Sequence, residues 1–138
     1  MDEVLLGVDY GEVNTGLAFG RAGSVSPLKV VNSKNTPHLI SEIGKVVIST
    51  KVSKIIVGLP TTLDGKETAQ SLKVRQFTNL LKAKLKKPIE YVSEFATTSE
   101  SIQGAIRSGI SKKRRKTNDH LSAALILKRY YNEQETTQ

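Results

Sequence analysis

The chain has 138 residues, 38% hydrophobic and 25% charged, which suits one domain able to bury its own core. It has no cysteine, so disulfides, thiolate metal sites and a cysteine nucleophile are excluded together. The net charge of +8 is uneven: residues 1–69 balance 7 basic against 7 acidic residues, residues 70–138 hold 14 against 6, and such a bias favours a polyanionic partner.

In chain order, the apolar run from Val4 to Val8 predicts a strand buried on both faces, delivering Asp9 to its end. The chain bends at Gly11, and Leu17-Ala18-Phe19 after Gly16 reads as the antiparallel return. Ser26 to Val31 predicts a third strand, with Gly23-Ser24 as the preceding turn. Thr36 and Pro37 start a helix that buries Leu39, Ile40, Ile43, Val46 and Val47, with His38 on its surface. Lys54 to Leu59 is a further buried strand closed by Pro60, and a loop through Asp64-Gly65-Lys66 follows.

Thr68 caps a long helix with an apolar stripe of Leu72, Phe77, Leu81 and Leu85. Lys82, Lys84, Lys86 and Lys87 crowd its end, where cations suit the helix dipole, and Pro88 stops it. Ile89 to Val92 forms the fifth strand, with Glu94 just beyond. A helix from Thr97 or Thr98 carries Ile102, Ala105 and Ile106 and closes near Gly109. The basic loop Lys112-Lys113-Arg114-Arg115-Lys116 comes next. Thr117 or Asn118 then caps a last helix that packs through Leu121, Ala124, Leu125 and Tyr131. No repeat or linker interrupts the chain, so one domain is expected over residues 1–132, with a fraying tail at 133–138.

Three hairpin-linked strands followed by two helical crossovers imply an α/β fold. Its five-stranded mixed sheet has three antiparallel strands, then two parallel ones, with helices on both faces. Such sheets bind ligands at the carboxyl ends of their parallel strands. Asp9 ends the first strand, Glu94 follows the fifth, and Asp119 opens the last helix. Taken singly, these are a turn residue, a solvated loop charge and a helix-dipole partner. Brought together, they would repel unless a cation neutralised them. Hard oxygen ligands without Cys or paired His favour Mg²⁺ or Mn²⁺ over zinc. Such ions activate water and stabilise the leaving oxygen of a phosphodiester. His120 diverges from Asp119 around the helix and is a poor general base for it.

The motif Gly7-Val8-Asp9-Tyr10-Gly11 with Thr15-Gly16-Leu17-Ala18, and Ile56-Val57-Gly58-Leu59-Pro60 with Asp64-Gly65, resembles the YqgF family. These are RuvX-like, Holliday-junction-resolvase-like nucleases with an RNase H-type fold. Glu94 before Thr97-Thr98, and Asp119 before Ala123-Ala124-Leu125-Ile126-Leu127, extend the resemblance over nearly the whole chain. It implies an acidic triad of Asp9, Glu94 and Asp119 as catalytic metal ligands, with Lys112, Lys113, Arg114, Arg115 and Lys116 holding nucleic acid beside them. The family usually carries Asp-Glu-Arg where this chain has Ser93-Glu94-Phe95, and a basic residue near Asn14. The missing arginine removes a phosphate contact; the ligands remain.

The expected function is therefore a Mg²⁺- or Mn²⁺-dependent endonuclease on structured nucleic acid, and the resemblance implies the 5′ end of precursor 16S rRNA as its substrate. The alternatives are resolution of four-way DNA junctions and nucleic-acid binding without strong catalysis. An actin-like ATPase shares the Asp9-Tyr10-Gly11 loop but closes two such domains over its nucleotide. Four Tyr, three Phe and no Trp offer little for base stacking, so backbone and shape would dominate. A cytoplasmic protein without membrane contact is expected from the acidic start and the lack of a long apolar run; an rRNA processor can act as a monomer, whereas a resolvase needs a homodimer.

Overall fold

The computed structural model describes residues 2–62, 64–93 and 119–136; at Asp119, His120 and Thr136 the backbone alone is described. The helix expected between Thr97 and Gly109 lies outside the described residues. Within them the order is β1 (Val4–Asp9), β2 (Asn14–Arg21), β3 (Ser24–Asn32), α1 (Thr36–Ser49), β4 (Lys54–Leu59), α2 (Ala69–Leu85), β5 (Ile89–Ser93) and α3 (Asp119–Thr136). The sheet order is β3-β2-β1-β4-β5. β1–β2 and β2–β3 are antiparallel, while β1–β4 and β4–β5 are parallel, as expected.

Leu5 to Val8 are buried without a break because β1 lies at the centre of the sheet, with helices above and below. The β2–β3 turn is Ala22-Gly23 rather than Gly23-Ser24. Both residues have positive φ (52° and 84°), the geometry of a two-residue hairpin turn, so Arg21 pairs Ser24 and the strand starts before Ser26. β3 is an outer strand, where Pro27 is tolerated despite its missing N–H. The register slips beside it: Leu17 faces Lys29 and Ala18 faces Pro27, leaving Leu28 in a bulge.

Asn35 caps α1 by accepting the His38 amide at 2.9 Å, and all five expected residues of that helix are buried. Thr68 and Ser71 form a reciprocal capping box at the start of α2. The buried stripe of α2 is Val74, Phe77, Thr78 and Leu81, one helical face at spacings of three and four. Leu72 falls off that face and is 55% exposed, which corrects its placement in the stripe.

α1 and α2 cover one face of the sheet, where Leu6, Val8, Leu17, Ile43, Val57 and Leu81 join one core. α3 covers the other, over Leu5, Ala18, Ile56 and Val92. Its buried face is Ala123, Ile126, Leu127 and Tyr130, with Ala124 alongside; Leu121 is exposed and Leu125 half-buried, contrary to expectation. The reason lies in β1. A Cβ on Gly7 would stand 2.8 Å from the Ala123 carbonyl oxygen and 2.7 Å from Leu127 Cγ, so the helix rests on bare strand at its small residue. A Cβ on Gly20 would meet Tyr131 Oη at 2.9 Å, one turn further along. α3 runs to Thr136, past the domain limit expected at residue 132, and Arg129 meets Glu133 at 3.4 Å across one turn. None of the described helices is long and apolar enough to cross a membrane.

Candidate active site

β1 alternates its side chains between the two faces. Leu6 and Val8 enter the core beneath α1 and α2, whereas Leu5 enters the core beneath α3, with Gly7 and Asp9 on the same side. Asp9 therefore stands at the carboxyl end of the central strand on the α3 face.

Its neighbours in the sheet follow from register. Asp9 pairs Gly16 of β2. Val8 pairs Val57, so the next position across from Asp9 on β4 is Gly58, which in turn pairs Val92 of β5. Ala18, Ile56 and Val92 all face α3, which puts Gly16 and Gly58 on that face too. The row reads Gly16, Asp9, Gly58, Val92: a carboxylate with no side chain on the strand to either side, about 4.8 Å away.

The start of α3 comes to this row. Ala123 lies over Gly7, and later helix residues run towards the beginning of β1. Four helical residues span about 6 Å and two strand residues about 6.7 Å, so Asp119 begins α3 at about the level of Asp9. The N-terminal pole of a helix favours negative charge there.

Three other acids described at this edge are committed to cations. Glu12 pairs Lys73. Glu67 takes Arg75 through two oxygens at 2.7 and 3.2 Å, and this bond holds its carboxyl below the usual range. Arg75 also lies 5.0 Å over the Tyr91 ring. Asp64 is held low by the Thr62 hydroxyl and sits 3.6 Å from Lys66.

Of the residues singled out in the sequence, Asp9 is where expected. Asp119 opens α3, but only its backbone and that of His120 are described. Glu94, Lys112, Lys113, Arg114, Arg115 and Lys116 lie outside the described residues. His38 is a surface residue of the first turn of α1. Two features escaped sequence reasoning. The Ser93 and Thr61 hydroxyls share a hydrogen bond of 3.0 Å, tying the end of β5 to the loop after β4. The glycine row is the other; glycine inside a buried strand was its signal, but pairing it with Asp9 needs the register.

Among the described residues no group of three or more acidic or histidine side chains comes together as a metal site; Glu94 and the Asp119 side chain lie outside them. Asp9 is a hard oxygen donor of the kind that suits Mg²⁺ or Mn²⁺, and the strands on either side bring no competing side chain to its row.

The chain matches the family model described as RuvX: Holliday junction resolvase over residues 3–133. A protein of Syntrophus aciditrophicus named "Putative pre-16S rRNA nuclease" is 37% identical over 129 residues, covering 91% of this chain and 86% of its own. A protein of the same name from Orientia tsutsugamushi is 31% identical over 127 residues, covering 89% and 80%. Among solved structures, RuvC of T. thermophilus in complex with a Holliday junction substrate superposes with a TM-score of 0.62 at 13% identity, over 96% of both chains. The Fowlpox virus resolvase bound to Holliday junction DNA gives 0.54 at 12% identity, over 95% and 97%. The two structural likenesses establish the shared fold.

Proposed function

This chain belongs to the RuvX family, and from that premise we propose that it is a divalent-metal-dependent endonuclease of structured nucleic acid, acting in the cytoplasm on the 5′ end of precursor 16S rRNA. The observation that carries the reading is the carboxylate of Asp9 on a glycine-flanked row, at the level where α3 begins. Asp9, Glu94 and Asp119 would hold the ion. Val92 faces α3, Glu94 is two positions further along the chain, and Asp119 opens the helix above.

When bound, the cation supplies Lewis acidity at the scissile phosphate, strengthening water as a nucleophile and stabilising the departing oxygen. Asp9 would hold it from the central strand of the sheet, paired on both sides, which keeps the reacting geometry fixed. The positive pole of α3 lowers the cost of holding several carboxylates in one place. Lys112, Lys113, Arg114, Arg115 and Lys116 end two residues short of Asp119 and grip the substrate backbone. Ser93 and Phe95 stand in place of a family acid and arginine, so orientation of the phosphate falls to this basic run.

The test is a matched cleavage assay with purified protein and Mg²⁺, offering a precursor rRNA fragment, a four-way DNA junction and a linear duplex. Preferential cutting of the rRNA fragment, lost in Asp9→Asn, is expected. Preferential cutting of the junction transfers the assignment to junction resolution, the activity in the family's description, which needs two copies to cut opposing strands. Binding without cutting of any substrate overturns the nuclease reading.

A further inference from the structure

Residues 68–89, which contain α2 and the turn after it, carry six basic residues and no acid. Two of the six, Lys73 and Arg75 in the first half of α2, are paired with Glu12 and Glu67, as Lys29 and Lys45 are with Glu42 and Lys54 is with Glu90. Lys82, Lys84, Lys86 and Lys87 meet no carboxylate among the described residues, and neither does Lys51 after α1. Lys51 and Lys87 line one shallow depression of about 360 Å³ between the ends of the two helices, next to Ile48, which is 80% exposed.

A helix C-terminus accounts for one or two cations in its last turn. Five of them from two elements, with no acid interspersed, repel one another, and a bound polyanion removes that repulsion. Lys51 and Lys86 also have φ of 56° and 54°, the left-handed region where a helix end ordinarily takes glycine. Strain kept at the ends of both helices for the same charged residue points to use of the charge. The patch has no exposed aromatic ring lining it, which suits phosphate contact and not base stacking.

We propose that this patch is a second backbone contact for duplex RNA, holding an arm of the substrate away from the bond being cut. α2 starts at the edge that carries Asp9 and ends at the opposite one, so its 17 residues separate patch and site by about 25 Å. The choice of RNA rests on the proposed function; the contact with phosphate rests on the charge and geometry alone.

Binding of an RNA hairpin with a stem of about 20 base pairs, followed by fluorescence anisotropy in EDTA over a range of salt, tests this. The full chain is compared with a patch variant, Lys84→Gln/Lys86→Asn/Lys87→Gln, and with a charge-matched control, Arg21→Gln/Lys34→Gln/Lys128→Gln. The patch variant should bind about 10-fold or more weakly, with a salt slope shallower by about two to three, while the control moves by about 3-fold or less. Equal weakening of both variants overturns the proposal, because net charge alone then suffices. Wild-type affinity of the patch variant also overturns it and leaves the lysines to an acidic protein surface. Binding alone is read, without metal, so a failure of the nuclease reading leaves this result untouched. Unchanged thermal melting of both variants verifies that the fold is intact.

Discussion

On the face covered by α1 and α2, branched side chains meet branched side chains: Leu6, Val8, Leu17, Ile43, Val57 and Leu81 fill the space between sheet and helices. On the face covered by α3, a helix lies almost on the backbone of β1, with Ala123 and Leu127 against Gly7 and Tyr131 against Gly20. The first kind of packing spreads its energy over many contacts, each able to relax a little. The second has nowhere to give, and it fixes the height at which α3 begins relative to Asp9. Stability is therefore shared by both faces, whereas the proposed chemistry depends on position on one.

The largest expected effect belongs to the α3 face. Asp9→Asn should lower cleavage by at least about 10²-fold with an unchanged melting temperature, and chelation of the metal should do the same to the wild type. On the opposite face, Leu81→Ala should cost about 3 kcal/mol in urea denaturation by opening a cavity under α2. Its cleavage rate per folded molecule should stay at the wild-type level; a large fall would erase the contrast between the faces. Gly7→Ala adds one methyl group where there is no room, and should cost about 2 kcal/mol. Unlike Leu81→Ala it should also depress cleavage, because the start of α3 is lifted from Asp9. Wild-type turnover in folded Gly7→Ala would break the comparison outright.

The smallest effect is electrostatic and lies at the far end of α3. Lys54 bonds Glu90 at 2.8 Å and Tyr130 donates to the same carboxylate at 2.8 Å, which together hold its pKa below the ordinary 4.5. A lowered carboxylate pKa stabilises the fold above that ordinary value, and the benefit is lost as pH falls through the folded one. Melting temperature should thus drop more steeply for wild type than for Glu90→Gln between about pH 5 and pH 3. The half-exposed pair is screened by solvent, so the difference should be small and should shrink with salt.

Much of the architecture was legible in the residues. The unbroken run of β1, the helical spacing of Leu39 to Val47, and Pro60 and Pro88 as stops all mark local events that the chain encodes locally. What escaped depends on partners distant in sequence. Leu72 and Leu121 are apolar residues on faces that the sheet does not reach, while Val74 and Ala123 lie on the faces it does. Hydropathy cannot separate these candidates, since the choice is made by partners distant in sequence, such as Gly7 under Ala123 and Leu127. The Ala22-Gly23 turn was missed because alanine at positive φ is uncommon. At the site, Asp9 was readable as a strand-ending acid, but its flanking by Gly16 and Gly58 emerges only from strand pairing.

The outer strand has a consequence for the protein in solution. An unpaired strand flank is an open template on which a second chain can extend the sheet. In β3, Pro27 interrupts the row of donors and the bulge at Leu28 twists the strand beside it, although Leu28 and Val30 are exposed enough to adhere. A single missing hydrogen thus makes this edge a poor template for a second chain.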